Sequence, residues 1–324
     1  MPGSGRAVPP RLPGRPLRTG RWRFRPGLLA ACIGLLALPG LAGASLLVQQ
    51  HCATPPSLTV AQQDRLLRFA AFIKATLDAS GQPLAIVARS GLDLSRFGLR
   101  YSHGGISLRD SPNAAWSVRQ LYFDCEAGTP RIFDQGIPGF VLGADNPDSG
   151  YFSAVLLPAP AATALQAQML DKAGALQALH PAYSANAYAW GLRFQNCNQW
   201  LVETLALAWG PEPAPGTAPR AAAQAWLREA GYQPQVMAVG NRPLMWLASA
   251  LPWLHESDHP AEDLAQAQYR VSMPASVEAF VRQREPAAER LEFCHDTRHM
   301  VLRRGWQPLE PGCEPAAGDE VLAF

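Results

Sequence analysis

The chain has 324 residues and a formal net charge of +2, from 28 Lys and Arg against 26 Asp and Glu. Arg6, Arg11, Arg15, Arg18, Arg21, Arg23 and Arg25 all fall in residues 1–26, where there is no acid, so the rest of the chain offers no basic surface for nucleic acid. Lys74 and Lys172 are the only lysines, and the Ala-, Pro- and Arg-rich composition reads as a GC-rich bacterial genome rather than as a function.

The basic stretch runs into Leu28–Val48, which carries no charge, and Ala42-Gly43-Ala44 is an acceptable small-residue cleavage site. That pattern predicts a signal peptide over residues 1–44. The same apolar run suffices to span a bilayer, so an uncleaved membrane anchor is the alternative. In either case the arginines on its N-terminal side place everything after residue 50 outside the cytoplasm, in the periplasm or secreted. Membrane contact is expected only through this segment. Residues 52–324 are enough for one large domain.

Thr59 caps a helix to Ala79, with Leu66, Ala70, Ile73 and Leu77 on one face and Gly81 and Pro83 ending it. Leu84–Ala88 reads as a short buried strand. Leu99–Leu108 reads as the next, with Gly104-Gly105 where another backbone or a ligand comes close. Asp110-Ser111-Pro112-Asn113 is a turn, and Trp116–Phe123 completes a hairpin. Tyr151–Leu157 is a further strand, and residues 161–179 are helical. Asn196 is a favoured N-cap for a helix that ends at Gly210. Residues 211–219 form a Pro-rich linker, followed by helices near 220–230 and 275–283 and a C-terminal extension stapled by cysteines. Helices mixed with short antiparallel strands indicate an α+β protein.

Cysteine arithmetic singles out one thiol. Cys52, Cys125, Cys197, Cys294 and Cys313 make an odd number in an oxidising compartment, economically two disulfides and one free thiol. Cys294 with Cys313 and Cys52 with Cys125 is the reading that leaves Cys197. Cys197 lies in the first turn of its helix, where the dipole and unpaired N–H groups are expected to lower a thiol pKa and prepare a nucleophile. His103 is the candidate base. Gln120 on the facing strand is the candidate orienting group, with Asp124 as the charged alternative. Gln195, Asn196 and Tyr101 are candidates for oxyanion or substrate binding.

Strand-borne histidine in Tyr101-Ser-His-Gly-Gly-Ile106, a polar residue on the next strand, then Asn196-Cys197 at a helix start resembles the circularly permuted NlpC-type papain-like fold. The lecithin retinol acyltransferase family shares this layout. The exported part also resembles an uncharacterised family of bacterial secreted proteins, a domain of unknown function. That likeness rests on Gly91–Phe97, Tyr101-Ser-His103, Gln195-Asn-Cys-Asn-Gln-Trp200 and Val271-Ser-Met-Pro274. The papain-like resemblance covers residues 84–208 and implies an antiparallel sheet packed on the helix that carries the cysteine. It implies attack of Cys197 on an acyl carbonyl, with no cofactor and no metal. Peptide or peptidoglycan amides come first as partners and lipid acyl groups second. Position 120 is Gln where relatives often carry His.

Three rival readings stand beside this one. His255, Asp258 and His259, or Cys294-His295 with His299, could ligate zinc, although the prolines flanking the first cluster make it read as a surface polar turn. The tryptophans and Pro-rich segments could build a glycan or peptide surface. A catalytically inactive papain-like binding module would keep the fold without using Cys197.

Overall fold

The computed structural model describes residues 57–324. The expectations for the signal peptide or anchor and for Cys52 lie outside the described residues.

Helix α1 (Val60–Ala79) opens on Thr59, whose hydroxyl accepts from the Gln62 N–H while the Gln62 side chain accepts from the Thr59 N–H. This reciprocal cap satisfies two otherwise unpaired donors. Strands β1 (Leu84–Arg89), β2 (His103–Leu108), β3 (Ser117–Asp124), β4 (Thr129–Gln135) and β5 (Gly150–Leu156) come next, with helix α2 (Ile137–Leu142) between β4 and β5. After them come α3 (Ala159–Leu170), α4 (Lys172–Leu176), α5 (Cys197–Trp209) and α6 (Pro219–Glu229). A small hairpin of β6 (Gln235–Ala238) and β7 (Gln268–Val271) encloses α7 (Arg242–Ala248) and α8 (Ala261–Ala265) in sequence. Helix α9 (Pro274–Arg284) leads to β8 (Glu289–His295), β9 (His299–Arg304) and β10 (Glu320–Ala323).

Eight strands form one antiparallel sheet in the order β10-β9-β8-β5-β1-β2-β3-β4. Because successive side chains point to opposite faces, each strand serves two cores. Leu84, Ile86, Ile106, Leu108, Leu121 and Val155 pack against Leu165 of α3, Leu201 and Leu205 of α5, Leu227 of α6 and Phe280 of α9. Ala85, Val87, Val118, Phe152 and Ala154 pack against Phe69, Ile73 and Leu77 of α1 and Phe140 of α2. Helices on both faces of an antiparallel sheet make the protein α+β. Among the described residues no helix is long and apolar enough to cross a membrane.

Three elements depart from the sequence reading. The strand expected over residues 99–108 begins only at His103. Leu99 packs instead with Met245 and Tyr269, and the Tyr101 hydroxyl donates to Glu292. His103 is therefore the first residue of its strand, not a central one. The helix expected over 161–179 breaks at Asp171, which caps α4 by accepting from the Gly174 N–H.

The C-terminal extension, finally, is part of the main sheet. β8 pairs with β5 along its whole length, while α9 buries Val277, Phe280 and Val281 on the face that α5 covers. Cys294 and Cys313 are bonded, with Cα atoms 5.6 Å apart, and Cys125 is also in a disulfide. Cys197 is the free cysteine among the described residues.

Candidate active site

Asn196 caps α5 as expected, its side chain accepting from the Gln199 N–H at 2.7 Å. The other polar residues of Gln195–Gln199 are staples that hold the turn in place. Gln195 Nε2 donates to Ala178 O and to Glu203, both at 2.7 Å, and its Oε1 accepts from the His180 N–H. Gln199 Nε2 donates to Tyr188 O, Ala189 O and Gly191 O. Asn198 Nδ2 donates to Ser102 O at 3.2 Å. Behind them Arg220 grips Glu203 at 2.7 Å, with Gln224 adding a third donor. Burial raises the Glu203 carboxyl pKa, and Arg220 opposes it. A paired carboxylate of this kind is costly to leave alone, which fixes α6 to the cysteine helix.

The thiol and the histidine meet the same stretch of β2. The ladder between β2 and β3 pairs Ile106, Ser107 and Leu108 with Arg119, Val118 and Ser117. Beyond it, the Gly104 N–H is directed at Cys197 Sγ. Ser102 is thus bonded to the first turn of α5, and the Gly104 N–H favours the charged form of Cys197 on that turn. A glycine at 104 eases this approach, since a Cβ there would lie 3.0 Å from Leu201 and 3.3 Å from Asn198 Oδ1. At Gly105 a Cβ would lie 2.7 Å from Val118 and 2.8 Å from Arg119 O. Asn198 Oδ1 is buried there without a partner.

Gly104 turns toward α5, and His103 precedes it as the first residue of β2. The His103 ring packs near Phe140, with centroids 5.8 Å apart, and near exposed Tyr122, at 6.3 Å. Gln120 Oε1 lies 2.5 Å from His103 Nε2, while Gln120 Nε2 donates to Gln135 Oε1 at 2.7 Å. A carbonyl oxygen accepts only from a protonated nitrogen, so neutral His103 carries its hydrogen on Nε2 and is basic at Nδ1. Asp124, the charged alternative, instead accepts from the Glu126 and Ala127 N–H groups of its own turn and pairs with Arg131.

The expected lowering of the thiol pKa is overturned. Burial pushes Cys197 up to about 11, against the opposing effects of the Asn198 N–H, the Arg89 charge and the Cys197 and Gly104 N–H groups. The helix terminus is present, but Sγ sits where water does not, and desolvation of a thiolate outweighs a few aligned dipoles. The resting cysteine is a neutral thiol.

Two proposed oxyanion donors are otherwise engaged. Both Gln195 amide hydrogens go to Ala178 and Glu203, so none is left for a substrate. Tyr101 donates to Glu292, which also takes Arg100 at 2.8 Å and Arg290 at 2.9 Å. Burial and then the Glu292 charge raise the Tyr101 pKa well above its usual value. Asn196 is a cap whose amide points to Ala185 O and Ser272 O.

The histidine clusters also part company. His255 stacks on Phe194 at 4.3 Å, while His259 bonds to Asn186 O between Tyr188 and Tyr269. Asp258 accepts from the Tyr188 N–H. Within the segment expected to be a surface turn, the Asp258 and His259 side chains are buried while His255 is half-buried. His295 is buried against Phe69, and His299 bonds to Cys313 O. Among the described residues no three His, Cys, Asp or Glu side chains gather as a metal site.

Sequence reasoning missed Arg89. It ends an apolar strand and so reads as a solvent-facing terminus, yet β1–β2 register places it directly opposite His103. It also missed Gln135, which fixes the Gln120 amide, and the exposed pair Tyr122 and Phe133, at 6.0 Å, beside the histidine. Only the hairpin register, which composition does not reveal, could have brought these together.

No curated protein and no solved structure matches the chain. Residues 76–281, which carry every element of the site, match a family described as an uncharacterized protein conserved in bacteria, DUF2145. The chain belongs to that family of uncharacterised bacterial proteins.

Proposed function

We propose that this is an exported cysteine hydrolase or acyltransferase with a circularly permuted papain-like arrangement, acting on an amide or ester acyl group, a cell-wall peptide amide first. The observation that carries the reading is how the chain on either side of His103 meets the cysteine turn: Ser102 O accepts from Asn198, and Gly104 packs close against Leu201 and Asn198. Export accords with the disulfide chemistry at Cys294, Cys313 and Cys125.

In this reading His103 Nδ1 takes the thiol proton as Sγ attacks the acyl carbon, so no free thiolate has to form beforehand. The carbon–sulfur bond forms and the carbonyl oxygen becomes an oxyanion, stabilised by the backbone N–H groups around the sulfur. Collapse expels the amine or alcohol, which leaves with the proton from His103. Water or another acceptor then gives its proton to Nδ1 and attacks the thioester, releasing the product and restoring the thiol. Gln120 keeps Nδ1 as the basic nitrogen throughout.

A second reading, an inactive module that binds peptide or glycan, is favoured by one observation: Cys197 is buried and held up at about 11. One experiment separates the two. Incubating the protein with peptidoglycan peptides and with p-nitrophenyl esters should release product. It should also give an acyl mass increment on Cys197, both abolished in Cys197→Ala and reduced about 10²- to 10⁴-fold in His103→Ala. Turnover that survives Cys197→Ala, or binding without any acylation, would overturn the enzymatic reading in favour of the other.

A further inference from the structure

Arg89 forms no ion pair within 4.0 Å among the described residues, although the charge of Asp145 acts on it. Arg119, Arg220, Arg290 and Arg303 each pair with a carboxylate at 2.6–2.8 Å. Arg89 has no described carboxylate within 4.0 Å. Its guanidinium donates from Nη1 to Ser90 O, 3.2 Å away, and its Nε is buried without a partner. The guanidinium lies 5.4 Å from the Phe140 ring centroid and is flanked by two glycines. A Cβ at Gly91 or at Gly143 would lie 2.7 Å from its terminal nitrogens. The two glycines leave room for a cation that no described carboxylate contacts within 4.0 Å.

Burial lowers the Arg89 pKa, and the charges of Tyr122, Asp145 and Cys197 oppose that. Asp145, exposed on the loop after α2, favours the charged guanidinium from beyond ion-pair distance. A partly buried guanidinium with unused donors is expensive to maintain for stability alone, and its planar fork matches one singly charged carboxylate. Its position, opposite His103 and within electrostatic range of Cys197, says where that carboxylate would be presented.

We propose that Arg89 is a specificity-determining residue that binds a free carboxylate on the acyl substrate, so that the site prefers anionic peptides or amino-acid derivatives over neutral acyl groups. This deepens the thiol reading above and rests on it.

The test compares two alkylating reagents of nearly equal size, iodoacetate with a carboxylate and iodoacetamide without one, on Cys197 of the full protein, with glutathione as the unbiased thiol. The iodoacetate-to-iodoacetamide rate ratio should exceed that of glutathione by about tenfold, the value of one charge-assisted hydrogen bond. Arg89→Gln should return the ratio to the glutathione value, while Arg89→Lys, which keeps the charge, should retain part of the preference. Acetate should slow the iodoacetate reaction more than inorganic phosphate at equal ionic strength. A ratio equal to that of glutathione and unchanged in Arg89→Gln would overturn the Arg89 proposal and leave the thiol reading standing. So would stronger protection by phosphate. If neither reagent modifies Cys197 in the folded protein, the thiol reading falls and this proposal falls with it.

Discussion

At the scale of single residues, burial decides what each titratable group does. Cys197 and His295 illustrate the two signs. Desolvation disfavours the charged form, so it pushes the Cys197 thiol up to about 11 and the His295 imidazole down to about 4. For His295 the Arg65 charge adds to the effect, and the Asp296 backbone opposes it. Between pH 6.5 and about 4 the unfolded chain takes up a proton that folded His295 refuses. Stability present above pH 6.5 is therefore lost as the pH falls through that window. In His295→Phe, which keeps an aromatic ring against Phe69, urea midpoints should fall less steeply between pH 6.5 and 4 than in wild type. Parallel pH profiles would show that the imidazole is not the group responsible. Neither shift was legible in the sequence, because a helix-start cysteine and a strand-end histidine carry no sign of their depth.

At the scale of elements, α5 is positioned by its polar residues as much as by its apolar face. Its start was legible because Asn196 is a good cap and Leu201, Val202 and Leu205 recur with helical period. Asn196→Ala removes the bond to the Gln199 N–H and should lower stability by about 1 kcal/mol, whereas Asn196→Asp retains the cap. Thermal unfolding of the two variants makes the comparison, and equal losses would mean that the Ala185 and Ser272 contacts matter more. Glu203→Gln strands the Arg220 charge beside α5 and should cost about 3–5 kcal/mol, measurable by urea unfolding. The β8 strand was illegible for a related reason. Arg290 and Glu292 sit inside, paired with each other and with Glu278, so charges occupy positions where hydrophobic pattern alone would put solvent. β4 begins Thr-Pro-Arg, and a proline on an edge strand reads as loop.

At the scale of the whole molecule, the chain closes one sheet from both ends, and the C-terminal strands complete it. The Cys294–Cys313 bond ties β8 to the turn ahead of β10 over a separation of 19 residues. Its reduction, or Cys294→Ala with Cys313→Ala, should cost about 2–4 kcal/mol. Protection from hydrogen exchange should be lost first in β10 and β9, and uniform loss across the sheet would contradict that placement. The α+β class was legible from the mixture of helices and hairpins. The order of strands was not, because β8 joins β5 across a long run of intervening chain and no local signal encodes that pairing. Catalysis by this fold turns on whether His103 activates a thiol that burial alone would leave inert. The pH dependence of iodoacetamide labelling at Cys197, in wild type and His103→Ala, tests this most directly. Wild-type labelling should rise at a lower pH than labelling of His103→Ala. In His103→Ala the lower-pH labelling should vanish, leaving labelling that climbs only toward about 11. Identical profiles in the two proteins, both climbing only at high pH, would contradict it.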